Sequence, residues 1–228
     1  MKKSPHQGNT RVTSKKIQVF QADLLAWFDK DGRKFPWRDR SNSKYKSIIA
    51  EVLLQRTRAE TAARFFPAFL KEYPSWRKLD LTSIEDLQLF LQPIGLWKRR
   101  ASVLNALSRE MVKRNGRFPR QREEIEALPG VGQYIANAVL LFCHGEPQPL
   151  LDGNMARVLE RVFGPRMMAD IRYDPYLQQL ALDIVRCKTP KEVNWAILDL
   201  AATICLPKKP NCEKCPLSTT CRYCKQKK

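Results

Sequence analysis

The sequence lacks any uninterrupted apolar run close to the length of about 20 residues that a helix needs to span a bilayer. The N-terminal residues up to Lys16 are polar and basic, and they contain no apolar core of a secretory signal peptide. From these two absences we expect a cytoplasmic protein without a membrane span, associated with the nucleoid if the host is bacterial or archaeal.

Acidic residues are scarce relative to basic ones. The 228 residues include 41 Lys and Arg but only 23 Asp and Glu, which gives a formal net charge of +18. This excess favours a polyanionic partner, because each phosphate that a basic side chain neutralises releases condensed counterions. We therefore expect the partner to be nucleic acid, while an anionic membrane surface is the alternative that charge alone leaves open.

Alternating strand patterns, internal repeats and long linkers are also absent. Apolar residues instead recur at spacings of three and four, as Ile17, Phe20 and Leu24 do near the N-terminus. The sequence is therefore predicted to be all-α. The predicted helices run from Thr13 or Ser14 to Gly32 and over residues 45–58, 61–72, 83–91, 96–114, 121–127, 131–143, 153–162, 175–187 and 191–204.

A short glycine-containing segment at residues 128–132 separates two of these helices. Pro129 and Gly130 end the first helix, and Gly132 leaves the backbone N–H without a covering side chain. The pattern predicts a helix–hairpin–helix in which the backbone of Gly130, Val131 and Gly132 attracts an anion such as a DNA phosphate. A plain turn is the alternative. Asp152 follows at the start of a later helix, where Asp is also a favoured N-cap.

The C-terminal region carries the spacing Cys-x6-Cys-x2-Cys-x5-Cys at Cys205, Cys212, Cys215 and Cys221. In a reducing compartment such thiols are free or bind metal rather than forming disulfides. Four soft ligands within one loop predict a metal centre, and both zinc and an iron–sulfur cluster accept four cysteines. Cys221 and Cys224 are separated by two residues, as Cys212 and Cys215 are, and these two pairs also make a zinc-like pattern. The spacing alone does not explain the role of Cys224.

The hairpin, Asp152 and the four cysteines together resemble the helix–hairpin–helix DNA glycosylases of the endonuclease III superfamily, over nearly the whole chain. The resemblance implies a 4Fe–4S cluster, a hairpin at an interdomain cleft, and binding of double-stranded DNA with the target base flipped out. We expect a monomer with four segments. They are a basic flexible arm (1–14), the N-terminal part of the iron–sulfur domain (15–36), a six-helix barrel domain with the hairpin (37–146) and the remaining iron–sulfur domain (147–228).

Two positions then bear on the chemistry. Asp152 matches the catalytic aspartate of the family, which stabilises the positive charge that develops on the sugar and orients water. Bifunctional members carry a lysine at position 134 that forms a Schiff base, and Tyr134 cannot do so. Tyr134 resembles instead the thymine glycosylases of the Mig type, which act on G·T and G·U pairs; simple packing in the hairpin is the alternative.

Further residues bear on which base is removed. Glu51 matches the glutamate with which MutY-type adenine glycosylases protonate the purine, although a surface helix glutamate is the alternative. Gln55 is similar to MutY-type enzymes and Arg56 to Mig-type enzymes. Either side chain is expected to fill the gap left by the flipped base, and Leu96 is expected to act as a wedge.

We therefore predict a monofunctional DNA N-glycosylase of base excision repair that removes thymine or uracil opposite guanine from mismatched duplexes. A MutY-type adenine glycosylase acting on adenine opposite guanine or 8-oxoguanine is the alternative, and a non-catalytic DNA-binding protein is the third hypothesis. MutY-type enzymes usually carry a further C-terminal domain, and this sequence ends soon after Cys221, which favours the thymine hypothesis.

Overall fold

The computed structural model of the protein describes residues 12–226, so most of the predicted basic arm (1–14) lies outside the described residues. Every regular element within 12–226 is helical, and no strand occurs there, which confirms the all-α prediction. None of the helices in this part of the chain has both the length and the apolar composition required to cross a membrane.

Twelve α-helices are present in the described residues, together with 3-10 turns at Pro36–Arg38 and Gln92–Ile94 and a π-helical turn at Leu140–His144. The α-helices are α1 (Ser14–Asp31), α2 (Lys44–Leu54), α3 (Ala59–Glu72), α4 (Trp76–Asp80), α5 (Ile84–Leu91), α6 (Trp97–Lys113), α7 (Arg122–Glu126), α8 (Gln133–Val139), α9 (Gly153–Phe163), α10 (Pro175–Val185), α11 (Pro190–Thr203) and α12 (Arg222–Gln226).

Three details differ from the predicted helices. Helix α2 ends at Leu54 and does not reach residue 58, because Arg56 has a left-handed backbone with φ of 53°. Helix α8 begins at Gln133 rather than at Val131, and it continues into the π-helical turn. The short helices α4 and α12 were not predicted.

The described chain divides into two compact units. One unit contains the residues up to Arg33 and those from Pro147 onward, and the other contains residues 34–146. We call them the two-segment unit and the central unit.

The core of the two-segment unit consists of the apolar faces of α1, α9, α10 and α11. Phe20 and Leu24 of α1 are fully buried there, and the Phe20 ring lies 5.2 Å from the ring of Phe163. The fully buried carboxylate of Asp199 accepts hydrogen bonds of 2.8 Å from the backbone N–H and from Nε of Arg33. The chain just after α1 is thereby attached to α11, and this contact joins the two chain segments of the unit.

A buried asparagine fixes the segment that leads to Asp152. Asn194 on α11 is fully buried, and its Oδ1 accepts from the backbone N–H of Leu150 at 2.6 Å. Its Nδ2 donates to the carbonyl of Gln148 at 3.1 Å. Because unpaired backbone groups are costly inside a protein, this side chain keeps an irregular segment ordered immediately before α9.

The central unit is organised around α6, which packs against α4 and α5. Aromatic side chains fill much of its interior, and Phe69 and Tyr73 of adjoining turns both contact Phe90. Helix α2 packs against α3 on one side and against α8 on the other. This last contact brings a residue of α2 next to the first turn of α8.

Candidate active site

Asp152 is the N-cap of α9 in the two-segment unit and is partly exposed. Its Oδ1 accepts from the backbone N–H groups of Asn154 at 2.9 Å and Met155 at 2.8 Å, and its Oδ2 accepts from Asn154 Nδ2 at 2.8 Å. These donors fix the orientation of the carboxylate. The capping role that the sequence suggests is therefore present, and the same contacts hold the group in one place.

Two further residues connect Asp152 to the cysteine loop. Arg157 donates from Nη2 to Asn154 Oδ1 at 3.1 Å, and from Nε to the carbonyl of Cys205 at 2.9 Å. A continuous chain of hydrogen bonds thus runs from Asp152 through Asn154 and Arg157 to Cys205. The sequence analysis did not single out Asn154 or Arg157, although their spacing of three places both on one face of α9.

The cysteine loop surrounds a small hollow in the same unit. Its wall includes all four predicted ligands and one further cysteine, namely Cys205, Cys212, Cys215, Cys221 and Cys224. Arg161 of α9 contributes a further polar contact, because its Nη1 lies 3.2 Å from Cys205 Sγ. Cys143 and Cys187 do not line this hollow.

Burial raises the pKa of two of these thiols, that of Cys215 to about 11 and that of Cys224 to about 12. A metal that binds either of them must therefore displace a proton from a thiol that is neutral at pH 7. Over residues 12–226, no set of three or more His, Cys, Asp or Glu side chains is grouped so as to hold a metal ion.

The central unit brings Glu51 and Tyr134 together. Glu51 lies on α2 with only 4% of its surface exposed, so the alternative of a surface glutamate is wrong. Tyr134 is in the first turn of α8, and its Oη donates to Glu51 Oε2 at 3.1 Å. The sequence separation of 83 residues explains why this contact could not be predicted from local patterns.

The predicted hairpin is present between α7 and α8. The backbone N–H of Val131 donates to the carbonyl of Leu128 at 3.1 Å, and Gly130 adopts φ of +72°. Gly132 is the N-cap of α8. The Val131 side chain is buried whereas Gly130 and Gly132 are exposed, so only backbone is presented at the tip of the hairpin.

The remaining predicted DNA contacts lie on two exposed turns of the central unit. Gln55 and Arg56 follow α2, and Leu96 precedes α6 with 47% of its surface exposed. Arg56 and Leu96 are both left-handed, with φ of 53° and 49°.

The sequence profile for HhH-GPD superfamily base excision DNA repair proteins matches residues 49–171. The chain belongs to this superfamily. It is 36% identical over 207 residues to the thymine/uracil-DNA glycosylase of Pyrobaculum aerophilum, covering 87% of this chain and 88% of that protein. It is 37% identical over 214 residues to the thymine-DNA glycosylase of Aeropyrum pernix, covering 91% of this chain and 95% of that protein. These matches confirm the family resemblance inferred from the sequence.

More distant relatives include the adenine DNA glycosylase of Homo sapiens, at 30% identity over 217 residues, covering 90% of this chain and 39% of that protein. A solved structure of a thermostable thymine-DNA glycosylase superposes with a TM-score of 0.85 at 33% identity, covering 93% of this chain and 98% of that one. The structure of an endonuclease III trapped in a covalent intermediate with DNA shares the fold, with a TM-score of 0.79 at 22% identity. The match covers 95% of this chain and 99% of that one.

The two hairpin glycines allow a matched test of the turn. A Cβ at Gly130 would overlap Val103 of α6 in a left-handed backbone, whereas a Cβ at Gly132 would meet nothing within 4 Å. Gly130→Ala is expected to lower the free energy of unfolding by about 2–4 kcal/mol. Gly132→Ala is expected to change it by less than about 0.5 kcal/mol. Denaturant unfolding measures both, and equal stabilities would contradict this account of the hairpin.

Proposed function

We propose that the protein is a monofunctional DNA N-glycosylase that removes thymine or uracil opposite guanine from double-stranded DNA. The observation that carries this proposal is the hydrogen bond between Tyr134 and the buried Glu51, at the position where a lyase would need a lysine. Thymine and uracil both carry an N3–H group that can donate a hydrogen bond to a pocket carboxylate. The two most similar relatives described above, which carry thymine glycosylase names, support this choice of base.

Asp152 is proposed as the catalytic carboxylate. Breaking the bond between the base and C1′ of the sugar places positive charge on the sugar, and a fixed anion stabilises that charge. The carboxylate also orients or deprotonates the water that adds to C1′ as the base departs with the bonding electrons. The contacts from Asn154 and Met155 support this role, because they hold the carboxylate before DNA binds.

Tyr134 has no amine, so no Schiff base with the sugar forms at this position and the DNA strand is left intact after base removal. The tyrosine hydroxyl is proposed to orient the Glu51 carboxylate toward the base. Arg56 and Gln55 are proposed to occupy the gap that the flipped base leaves, and Leu96 to act as the wedge. The backbone of Gly130, Val131 and Gly132 is proposed to bind a DNA phosphate.

We also propose that Cys205, Cys212, Cys215 and Cys221 hold a 4Fe–4S cluster. The donor set fits this group although the described part of the chain forms no single-ion site, because these sulfurs line one hollow and the cysteine thiolates of an iron–sulfur cluster are spread around several iron atoms. When bound, the cluster supplies cross-links that tie the loop together. Within this proposal, residues 15–36 and 147–228 form the cluster domain, residues 37–146 form the barrel domain, and the enzyme is a monomer acting on cytoplasmic or nucleoid DNA.

The second candidate is an adenine glycosylase. The buried Glu51 favours it, because this residue matches the glutamate with which MutY-type adenine glycosylases protonate the purine. The adenine glycosylase from Homo sapiens also matches most of this chain. The two candidates differ in the base released, so one set of duplexes distinguishes them.

The first experiment compares wild-type protein and Asp152→Asn on labelled G·T, G·U, A·G and A·8-oxoguanine duplexes, with and without alkali. Wild type is expected to yield strand breaks from G·T and G·U only after alkali. Asp152→Asn is expected to bind DNA normally and to lose about 10²–10⁴-fold in turnover. Asp183→Asn, on α10 of the same unit, is the matched control and should act as wild type. Cleavage of only the adenine pairs would establish the second candidate instead.

Position 134 is tested by two substitutions. Tyr134→Lys is expected to gain a borohydride-trapped covalent adduct with a G·U duplex, because an amine then occupies the first turn of α8. Tyr134→Phe keeps the ring but loses the hydrogen bond to Glu51, and it should lower excision without any adduct. An adduct with the wild-type protein would show that another amine acts as a lyase nucleophile.

The cluster is tested by measuring bound iron and visible iron–sulfur absorbance. Cys212→Ser is expected to lose both and to lower the unfolding temperature, because one ligand is removed. Cys187→Ser is the matched control, since this cysteine belongs to the same unit but does not line the hollow. Purified wild-type protein that contains zinc and no iron would reject the iron–sulfur assignment.

A further inference from the structure

Two exposed turns of the central unit each contain a left-handed residue that is not glycine. Arg56 follows α2 with φ of 53°, and Leu96 precedes α6 with φ of 49°. A left-handed backbone costs a residue with a side chain about 1–2 kcal/mol. Such conformations persist only where the surrounding structure imposes them, and they cluster at functional sites.

One buried guanidinium contacts both turns. Arg100 has 5% of its surface exposed, and its Nη2 donates to the carbonyl of Gln55 at 2.9 Å while its Nη1 donates to the carbonyl of Gly95. These carbonyls belong to the peptide units immediately before Arg56 and Leu96. Because φ is the rotation between that peptide unit and the residue that follows, one side chain constrains the backbone at both left-handed residues.

Additional hydrogen bonds of Arg100 make the constraint rigid. Nη2 also donates to Thr57 Oγ1 at 2.9 Å, and Nη1 also donates to the carbonyl of Ile94 at 3.2 Å. A planar guanidinium with several fixed donors can connect two peptide segments in this way, whereas a lysine ammonium is a single point on a flexible stem. The identity of this residue therefore matters beyond its charge.

The side chains of the two turns are suited to contacting double-stranded DNA. Leu96 is 47% exposed, and Arg56, Lys98 and Arg99 are exposed as well. The hairpin lies against the same end of α6, because a Cβ at Gly130 would overlap Val103. An apolar side chain beside cations can unstack a base step while the cations contact phosphates.

We infer that Arg100 is a positioning residue that locks Arg56 and Leu96 into a rigid pair, so that both side chains enter double-stranded DNA together and displace the target base. This inference rests on the proposed function, since it requires a base-flipping enzyme. Arg100 itself contacts neither the base nor the sugar. Its effect appears in the opening of the duplex and not in the chemical step.

The test measures base flipping without catalysis, in an Asp152→Asn background. A G·T duplex carries 2-aminopurine beside the thymine, so that fluorescence rises when the stack opens, and anisotropy measures binding. Adding Arg100→Met is expected to abolish most of the fluorescence rise at saturating protein, while Kd changes by less than about threefold. Arg109→Met, an exposed arginine on α6, is the matched control and should leave the rise unchanged.

Two further variants separate positioning from a general loss of structure. Adding Arg100→Met to Arg56→Ala with Leu96→Ala should cause no further loss of flipping, because Arg100 acts through those two residues. Arg100→Lys retains a cation but cannot connect both carbonyls, so it should reduce flipping while the unfolding temperature stays close to that of the parent. If Arg100→Met does not fold, the fluorescence and binding measurements are made with Arg100→Lys instead.

The outcomes distinguish this inference from the proposed function. A normal fluorescence rise with Arg100→Met and Arg100→Lys, or a further loss in the combined variant, would overturn the positioning role. Absence of any rise in the Asp152→Asn parent, together with no base release by wild type, would instead reject the proposed function.

Discussion

Guanidinium groups that donate to backbone carbonyls hold the irregular segments of this protein in place. Arg157 bonds the carbonyls of Ala201 and Cys205, and Arg161 bonds those of Leu206 and Pro207. Arg100 does the same for the turn after α2 and the turn before α6. The segments concerned carry the cysteines and the exposed turns, which have few helical hydrogen bonds of their own. Arginine suits this task because its donors lie in a fixed plane.

Because of these contacts, not all of the net charge of +18 is available to bind a partner. Part of the basic excess is structural, since Arg100 is buried and both Arg157 and Arg161 face carbonyls of their own chain. The charge that remains for phosphates is therefore smaller than the composition suggests. Association with DNA should depend on where the exposed cations lie, and not on the formal total.

Local patterns predicted much of the fold. Helix periodicity, the start of α1 near Thr13 or Ser14 and the glycines of the hairpin are encoded within a few residues, and each occurs in the structure. The left-handed conformations at Arg56 and Leu96 could not be predicted, because neither residue favours them and the hydrogen bonds from Arg100 to the neighbouring carbonyls leave no local sequence pattern. The Tyr134–Glu51 contact could not be predicted because the two residues are 83 positions apart in the sequence.

The proposed functional residues divide between the two units in a way that separates two tasks. Asp152 and the cysteine loop belong to the two-segment unit, where Arg157 links them, whereas Glu51, Tyr134, Arg56 and Leu96 belong to the central unit. The residues proposed to select a base can then change without disturbing the carboxylate proposed to act on the sugar, because the hydrogen bonds described above for each group lie within one unit. With the roles proposed above, substitutions in the central unit are therefore expected to alter specificity while the contacts that orient Asp152 are retained.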